Sequence, residues 1–136
     1  MMVKTVATST KILVAEDEPA VAAFMTLLLT RAGYDVQTAF AGQAGMELAT
    51  TRKFDLIVLD ADLPGISGFD LCRELKQRWI SRQTPIILLS ENDLEERRAK
   101  AFELGAVDFI AKPFIADDFL ERVALYIHQS KQMEQP

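Results

Sequence analysis

What most restricts this chain is a set of short runs that leave no polar side chain to face water. "ILVA" at Ile12–Ala15, "LIVL" at Leu56–Leu59 and "PIILL" at Pro85–Leu89 are all apolar. A strand with one wet face alternates apolar and polar residues, because successive side chains point to opposite faces. Runs without alternation predict strands covered on both faces, as in a parallel sheet flanked by helices. Tyr34–Ala39 and Val107–Ala111 bring the runs to five. The first of these mixes in Asp35, Gln37 and Thr38 and reads as an edge strand.

Helical patterns fill the gaps. Pro19 suits a first helical turn, Val21, Met25, Leu28 and Leu29 share one face, and Gly33 is a stop. Gln43–Thr50 is a weaker helix, with Gly42 and Gly45 against it. Ser67–Asp70 is a capping-box variant opening a helix that turns Phe69, Cys72 and Leu75 inward, with Trp79 packing at its end. Asn92–Glu95 predicts a capping box for a helix reaching Leu104, ended by Gly105. That helix is rich in charge and has a thin apolar stripe of Leu94, Ala101 and Leu104. Ile115, Phe119, Val123 and Ile127 predict the inward stripe of a last helix. Cys72 and His128 read as structural residues.

Strand–helix units of this length imply right-handed crossovers and an α/β, doubly wound domain. The 136 residues suffice for one such domain, expected over 11–129, with a flexible segment at 1–10 and a polar tail at 130–136. A single cysteine offers neither disulfide nor metal cluster, and a reducing cytoplasmic setting follows as the expectation. A net charge of −5 without a basic stripe argues against direct nucleic-acid binding. No apolar stretch long enough for a membrane span occurs.

Open sheets of this type bind ligands beyond the carboxyl ends of their strands. Those ends carry Glu16-Asp17-Glu18, then Asp60 with Asp62 beyond it, then Ser90, then Lys112-Pro113. Clustered carboxylates repel and raise one another's pKa, which a hard divalent cation relieves. Mg²⁺ takes oxygen ligands and is usually held by one or two carboxylates plus a phosphate. A lysine and a hydroxyl alongside complete a site for phosphoryl oxygens, with one aspartate as nucleophile.

Four segments, "ILVAEDEP", "LIVLDADLPGISGFDLC", "PIILLS" and "GAVDFIAKPF", resemble in order and spacing the receiver domain of two-component response regulators. The likeness spans about Lys11 to Gln129. It implies a (βα)5 flavodoxin-like fold with a parallel five-stranded sheet of order 2-1-3-4-5. It further implies that Asp60 accepts the phosphoryl group, from a histidine kinase, a phosphotransfer protein or a small phosphodonor. Asp17 would bind Mg²⁺ directly, Glu16 directly or through water, and Asp62 through its backbone carbonyl. Ser90 and Lys112 would hold phosphoryl oxygens, Ser90 and Phe109 would form the switch, and the Lys112–Pro113 bond would be cis. On phosphorylation Ser90 would shift, Phe109 would turn inward, and the face of the fourth helix, fifth strand and fifth helix would signal to a downstream protein or fused effector. Catalysis would be confined to the protein's own phosphorylation and slow dephosphorylation.

Residue by residue, plainer readings exist. Glu16–Glu18 suits a helix dipole, to which Glu18 is left; Asp62 suits a turn before Pro64-Gly65; Ser90 could cap the next helix. Asp60-Ala61-Asp62 also resembles the nucleophile and acid/base pair of haloacid-dehalogenase-type phosphatases, which would make this a small Mg²⁺-dependent enzyme. No cap insertion is present, and the other acids precede Asp60 instead of following it. A third reading is an interaction module that keeps the fold without phosphorylation. Against the family pattern, Glu16 stands for the commoner aspartate, Ser90 for threonine and Phe109 for tyrosine. Glu91 replaces a small residue beside the hydroxyl, where it could slow phosphodonor entry. Val107 replaces the aspartate usual in winged-helix regulators. No effector follows the last helix, so the sequence reads as a stand-alone regulator or a receiver from a longer protein.

Overall fold

The computed structural model describes residues 9–133. Five strands and five helices alternate: β1 (Lys11–Ala15), α1 (Pro19–Arg31), β2 (Asp35–Ala39), α2 (Gly42–Thr51), β3 (Leu56–Asp60), α3 (Gly68–Leu75), β4 (Ile86–Ser90), α4 (Glu95–Glu103), β5 (Asp108–Ala111) and α5 (Ala116–Met133). All strand pairs are parallel, in the order β2-β1-β3-β4-β5. This is the flavodoxin-like arrangement, with β2 at an edge as its mixed pattern predicts.

Strand geometry divides the apolar runs between two cores. Leu13, Ile57, Leu59, Ile86, Leu88 and Phe109 face α2, α3 and α4, where Ala49, Leu71, Cys72, Leu75 and Ala101 meet them. Ile12, Val14, Leu56, Val58, Ile87, Leu89 and Ile110 face α1 and α5, against Met25, Leu29, Phe119, Val123 and Ile127. Neighbouring residues on one strand thus feed opposite layers, which is why the runs show no alternation. Full burial of each such side chain contributes about 1.5–3 kcal/mol. The aspartate inside the last run, Asp108, is buried but satisfied: it accepts from Arg122 Nη1 (2.9 Å), Tyr126 Oη (2.7 Å) and the Phe109 amide (2.8 Å).

Several local expectations need correction. Ile115 is 75% exposed, because α5 starts at Ala116 and Ile115 lies before the helical repeat. Trp79 is 84% exposed on the turn beyond α3 instead of packed at the helix end. The Asn92–Glu95 capping box does not form: the N-cap of α4 is Leu94, itself exposed, with no side-chain cap bond. Asn92 is held by the Ser90 hydroxyl at both its amide and its carbonyl, so the helix can begin only later. At α3 the Ser67 hydroxyl does accept from the Asp70 amide (3.1 Å), but Asp70 turns to Arg73 and leaves the box half made. The helix expected over Gln43–Thr50 does form, as Gly42–Thr51, and position 42 admits only glycine because a Cβ there would run into the Ile66 backbone. Residues 130–133, placed in a tail by the sequence, continue α5; 134–136, and most of the 1–10 segment, lie outside the described residues.

Candidate functional site

Parallel registry brings the strand ends to one rim. Ala15 pairs with Leu59, Asp60 with Leu89, and Ser90 with Ala111. The next residue along β1 is Glu16 and along β5 is Lys112, so side chains far apart in sequence become neighbours. Beyond β3 the chain cannot continue straight, because Pro64 and Gly65 turn it (Gly65 φ 79°) and α3 folds back at once. Gly68 makes this return possible: its amide donates to the Ala61 carbonyl at 2.9 Å, and a Cβ there would collide with the Asp60 carbonyl and Ala61 Cα.

Glu16, Asp17 and Asp60 each offer a carboxylate oxygen, all within 4.8 Å of one another. Glu16 is fully buried and Asp60 nearly so, while Asp17 is exposed. Lys112 Nζ, on a side chain only 7% exposed, lies 2.9 Å from Glu16 Oε1, 3.4 Å from Glu18 Oε1 and 3.6 Å from Asp60 Oδ2. Asp60 Oδ1 accepts from the Asp62 amide at 3.1 Å. The Lys112–Pro113 peptide is cis.

Burial pushes the Asp60 carboxyl up to about 7, helped by a hydrogen bond with Asp17 and the charge of Glu16. The Asp62 amide and the Lys112 ammonium act the other way and are outweighed. Burial works to lower the Lys112 ammonium, yet Glu16, Asp60 and Glu18 together hold its pKa above the ordinary value. Glu16, Asp17 and Asp60, brought within 4.8 Å of one another, outnumber the one ammonium against them. Their hard oxygen donors, with Asp17 open to water, fit a small divalent cation that retains several waters.

Ser90 is fully buried beside this cluster. Its hydroxyl donates to the Asn92 carbonyl (2.9 Å) and accepts from the Asn92 amide (3.0 Å) and from Arg97 Nη2 (3.1 Å). Phe109 is fully buried, with the Arg98 guanidinium 5.3 Å from its ring centroid. In this conformation the Phe109 ring already sits in the core, and it carries no hydroxyl that would need water. Glu91 is exposed.

Two side chains were assigned no such place from sequence. Glu18, left to the helix dipole, reaches Lys112 instead. Arg97 bridges α4 to Asp62, whose side chain had seemed a mere turn former, at 3.0 and 2.9 Å. Nothing in the run Glu95-Glu-Arg-Arg98 separates Arg97 from its solvated neighbours; only the path of the β4–α4 loop does.

A sequence profile of the response regulator receiver domain family matches residues 12–124. The response regulator ArlR of Staphylococcus aureus is 35% identical over 125 residues, 92% of this chain and 56% of that protein. The chain thus spans little more than half the length of that relative. Among solved structures, a response regulator of Chloroflexus aurantiacus is 30% identical with a TM-score of 0.85, covering 89% of this chain and 99% of that one. The receiver domain of a sensor histidine kinase of Pseudomonas aeruginosa, 28% identical with a TM-score of 0.82 over 89% and 99% of the two chains, holds a magnesium ion in its active site cleft. A CheY-like receiver domain protein of Methanospirillum hungatei shares the fold at a TM-score of 0.87 and 21% identity, over 93% and 99%. The strand order, the acid-lined rim and these matches lead to one conclusion: the chain belongs to the family of response regulator receiver domains.

Proposed function

We propose that Asp60 accepts a phosphoryl group from a histidine kinase, a phosphotransfer protein or a small phosphodonor, and that the acylphosphate formed switches an output surface. The observation that carries this reading is the meeting of Glu16, Asp17 and Asp60 within 4.8 Å, with the buried ammonium of Lys112 against them. A structural ion pair would not need a third carboxylate raised to about 7 at the rim of the sheet.

Glu16, Asp17, Asp60 and the backbone carbonyl of Asp62 are the proposed ligands of Mg²⁺, which when bound neutralises charge on the phosphoryl oxygens and favours ionised Asp60. An Asp60 oxygen attacks phosphorus in line with the leaving group. As the new O–P bond forms, the donor's bond to phosphorus breaks and its electron pair leaves with the donor. Lys112, 3.6 Å from Asp60 Oδ2, is placed to pair with one phosphoryl oxygen. Ser90 supplies its hydroxyl to another. The product adds about −1.5 to −2 of charge to a pocket already rich in carboxylate, so its contacts differ strongly from those of free Asp60.

The output face is the surface of α4, β5 and α5. Its support is that α4 fully buries only Ala101, so the helix is held by little apolar contact and rearranges cheaply. The partner reading it is a downstream protein or an effector in the same polypeptide. The chain works in the cytoplasm and turns over no substrate other than its own acylphosphate. Among the described residues, no helix is long and apolar enough to cross a membrane.

Incubation with acetyl phosphate and Mg²⁺, read by intact mass, tests the proposal. One added phosphoryl group is expected on the wild type and none on Asp60→Asn. Equal labelling of the two, or steady hydrolysis of phosphate esters, refutes it.

A further inference from the structure

Arg97 spends its side chain on the phosphorylation site, not on solvent. Nη2 lies 3.0 and 2.9 Å from the two oxygens of Asp62 and 3.1 Å from Ser90 Oγ. The guanidinium stacks above Phe69, 5.0 Å from the ring centroid, and its side chain is 23% exposed. Three anchors from three segments, the β3–α3 loop, α3 and the end of β4, fix one planar group. The first turns of α4 are thereby pinned to the mouth of the site.

The bond to Ser90 has a chemical consequence. A serine hydroxyl has one hydrogen and two acceptor positions. Here the Asn92 amide and Arg97 Nη2 fill both acceptor positions, and the hydrogen goes to the Asn92 carbonyl. Ser90 has no lone pair left for anything that arrives at Asp60. It can only donate.

Phosphoryl oxygens are acceptors, so this is the polarity they need. We infer that Arg97 is a positioning residue for phosphoryl transfer: it occupies an acceptor position of Ser90, fixes that hydroxyl as a donor, and carries its displacement to α4. The inference rests on the reading of Asp60 as phosphoacceptor. On binding, the Ser90 hydrogen leaves the Asn92 carbonyl for a phosphoryl oxygen while both accepted bonds persist. Donation from a cation also polarises the O–H and strengthens it as a donor. Because Arg97 is on α4, a shift of Ser90 pulls directly on the helix proposed to signal.

The test is the rate of Asp60 labelling by acetyl phosphate in wild type, Arg97→Met, Ser90→Ala and the double variant. Arg97→Met is expected to slow labelling about tenfold, the effect of losing one charge-assisted hydrogen bond in the transition state. In the Ser90→Ala background the same change is expected to alter the rate less than about twofold, because the partner is already gone. Ser90→Thr, which keeps the hydroxyl, retains the full Arg97 dependence. Equal slowing in both backgrounds would mean that Arg97 acts through charge alone, and the inference falls. The second readout is hydrogen exchange at the Asn92 amide, which Ser90 accepts; it is expected to quicken in Arg97→Met, and unchanged exchange also overturns the inference. Absence of any label on the wild type would instead sink the phosphoacceptor reading itself.

Discussion

Asp60→Asn separates charge from shape at the site. Burial, Asp17 and Glu16 move the Asp60 carboxyl from 3.8 to about 7, so between those values the folded protein keeps a proton that the unfolded chain releases. Stability of the wild type should therefore fall as pH rises from about 4 towards 7 and level off above, since the unfolded state binds fewer protons there. At about 1.4 kcal/mol per pKa unit, roughly three units set a ceiling of about 4 kcal/mol. Titration shared with neighbouring carboxylates, and water reaching the cluster beside exposed Asp17, reduce the expectation to about 2 kcal/mol. The asparagine variant has no such titration. The attraction to Lys112, 3.6 Å away, grows as Asp60 ionises and is already contained in that value of about 7, so the variant otherwise differs by a constant offset. About two of those three units lie above pH 5, so calorimetry in EDTA should show the Tm advantage of Asp60→Asn growing by about 4 °C between about pH 5 and 8.5, at roughly 3 °C per kcal/mol for a chain of this size. A gap that stays constant across that range would refute the assignment of a raised Asp60 pKa to its surroundings.

Glu91 is exposed one residue from Ser90, so Glu91→Ala should speed labelling by the anionic donor acetyl phosphate about two- to threefold at low salt, an advantage lost at high ionic strength. An unchanged rate at low salt would show that the Glu91 charge is not felt at the site. Gly68→Ala forces a Cβ onto the Asp60 carbonyl, so denaturant melts should register a loss of about 1–3 kcal/mol together with weaker Mg²⁺ binding. Stability unchanged by that substitution would contradict the close approach of α3 to β3.

The sheet was legible because Leu13, Ile57 and Leu88 had to point one way while Val14, Val58 and Leu89 pointed the other, leaving no position for a polar side chain. The rim followed from where those runs stop. Helix starts were less legible, because they depend on competition for single hydrogen bonds. Asn92 has the right composition for a cap, but Ser90 engages its backbone first, and no pattern in the sequence ranks those two alternatives. Ile115 continued the helical spacing of Phe119, Val123 and Ile127 and still lies outside, since spacing does not say where a helix begins. Arg97 was invisible for another reason. A charged residue on a charged helix gains its meaning from the acceptors opposite, and Asp62 and Ser90 reach it only through tertiary structure.

Trp79 is the sole tryptophan of the chain and stands 84% exposed on the turn leading into β4. That turn is at the amino end of the strand, whereas the acids lie past the carboxyl ends, so a strand of five residues, about 16 Å long, separates indole from pocket. Intrinsic emission of the unmodified protein is accordingly a poor reporter of cation binding. An optical titration needs an indole placed near the rim, for which Trp79→Phe provides a dark background.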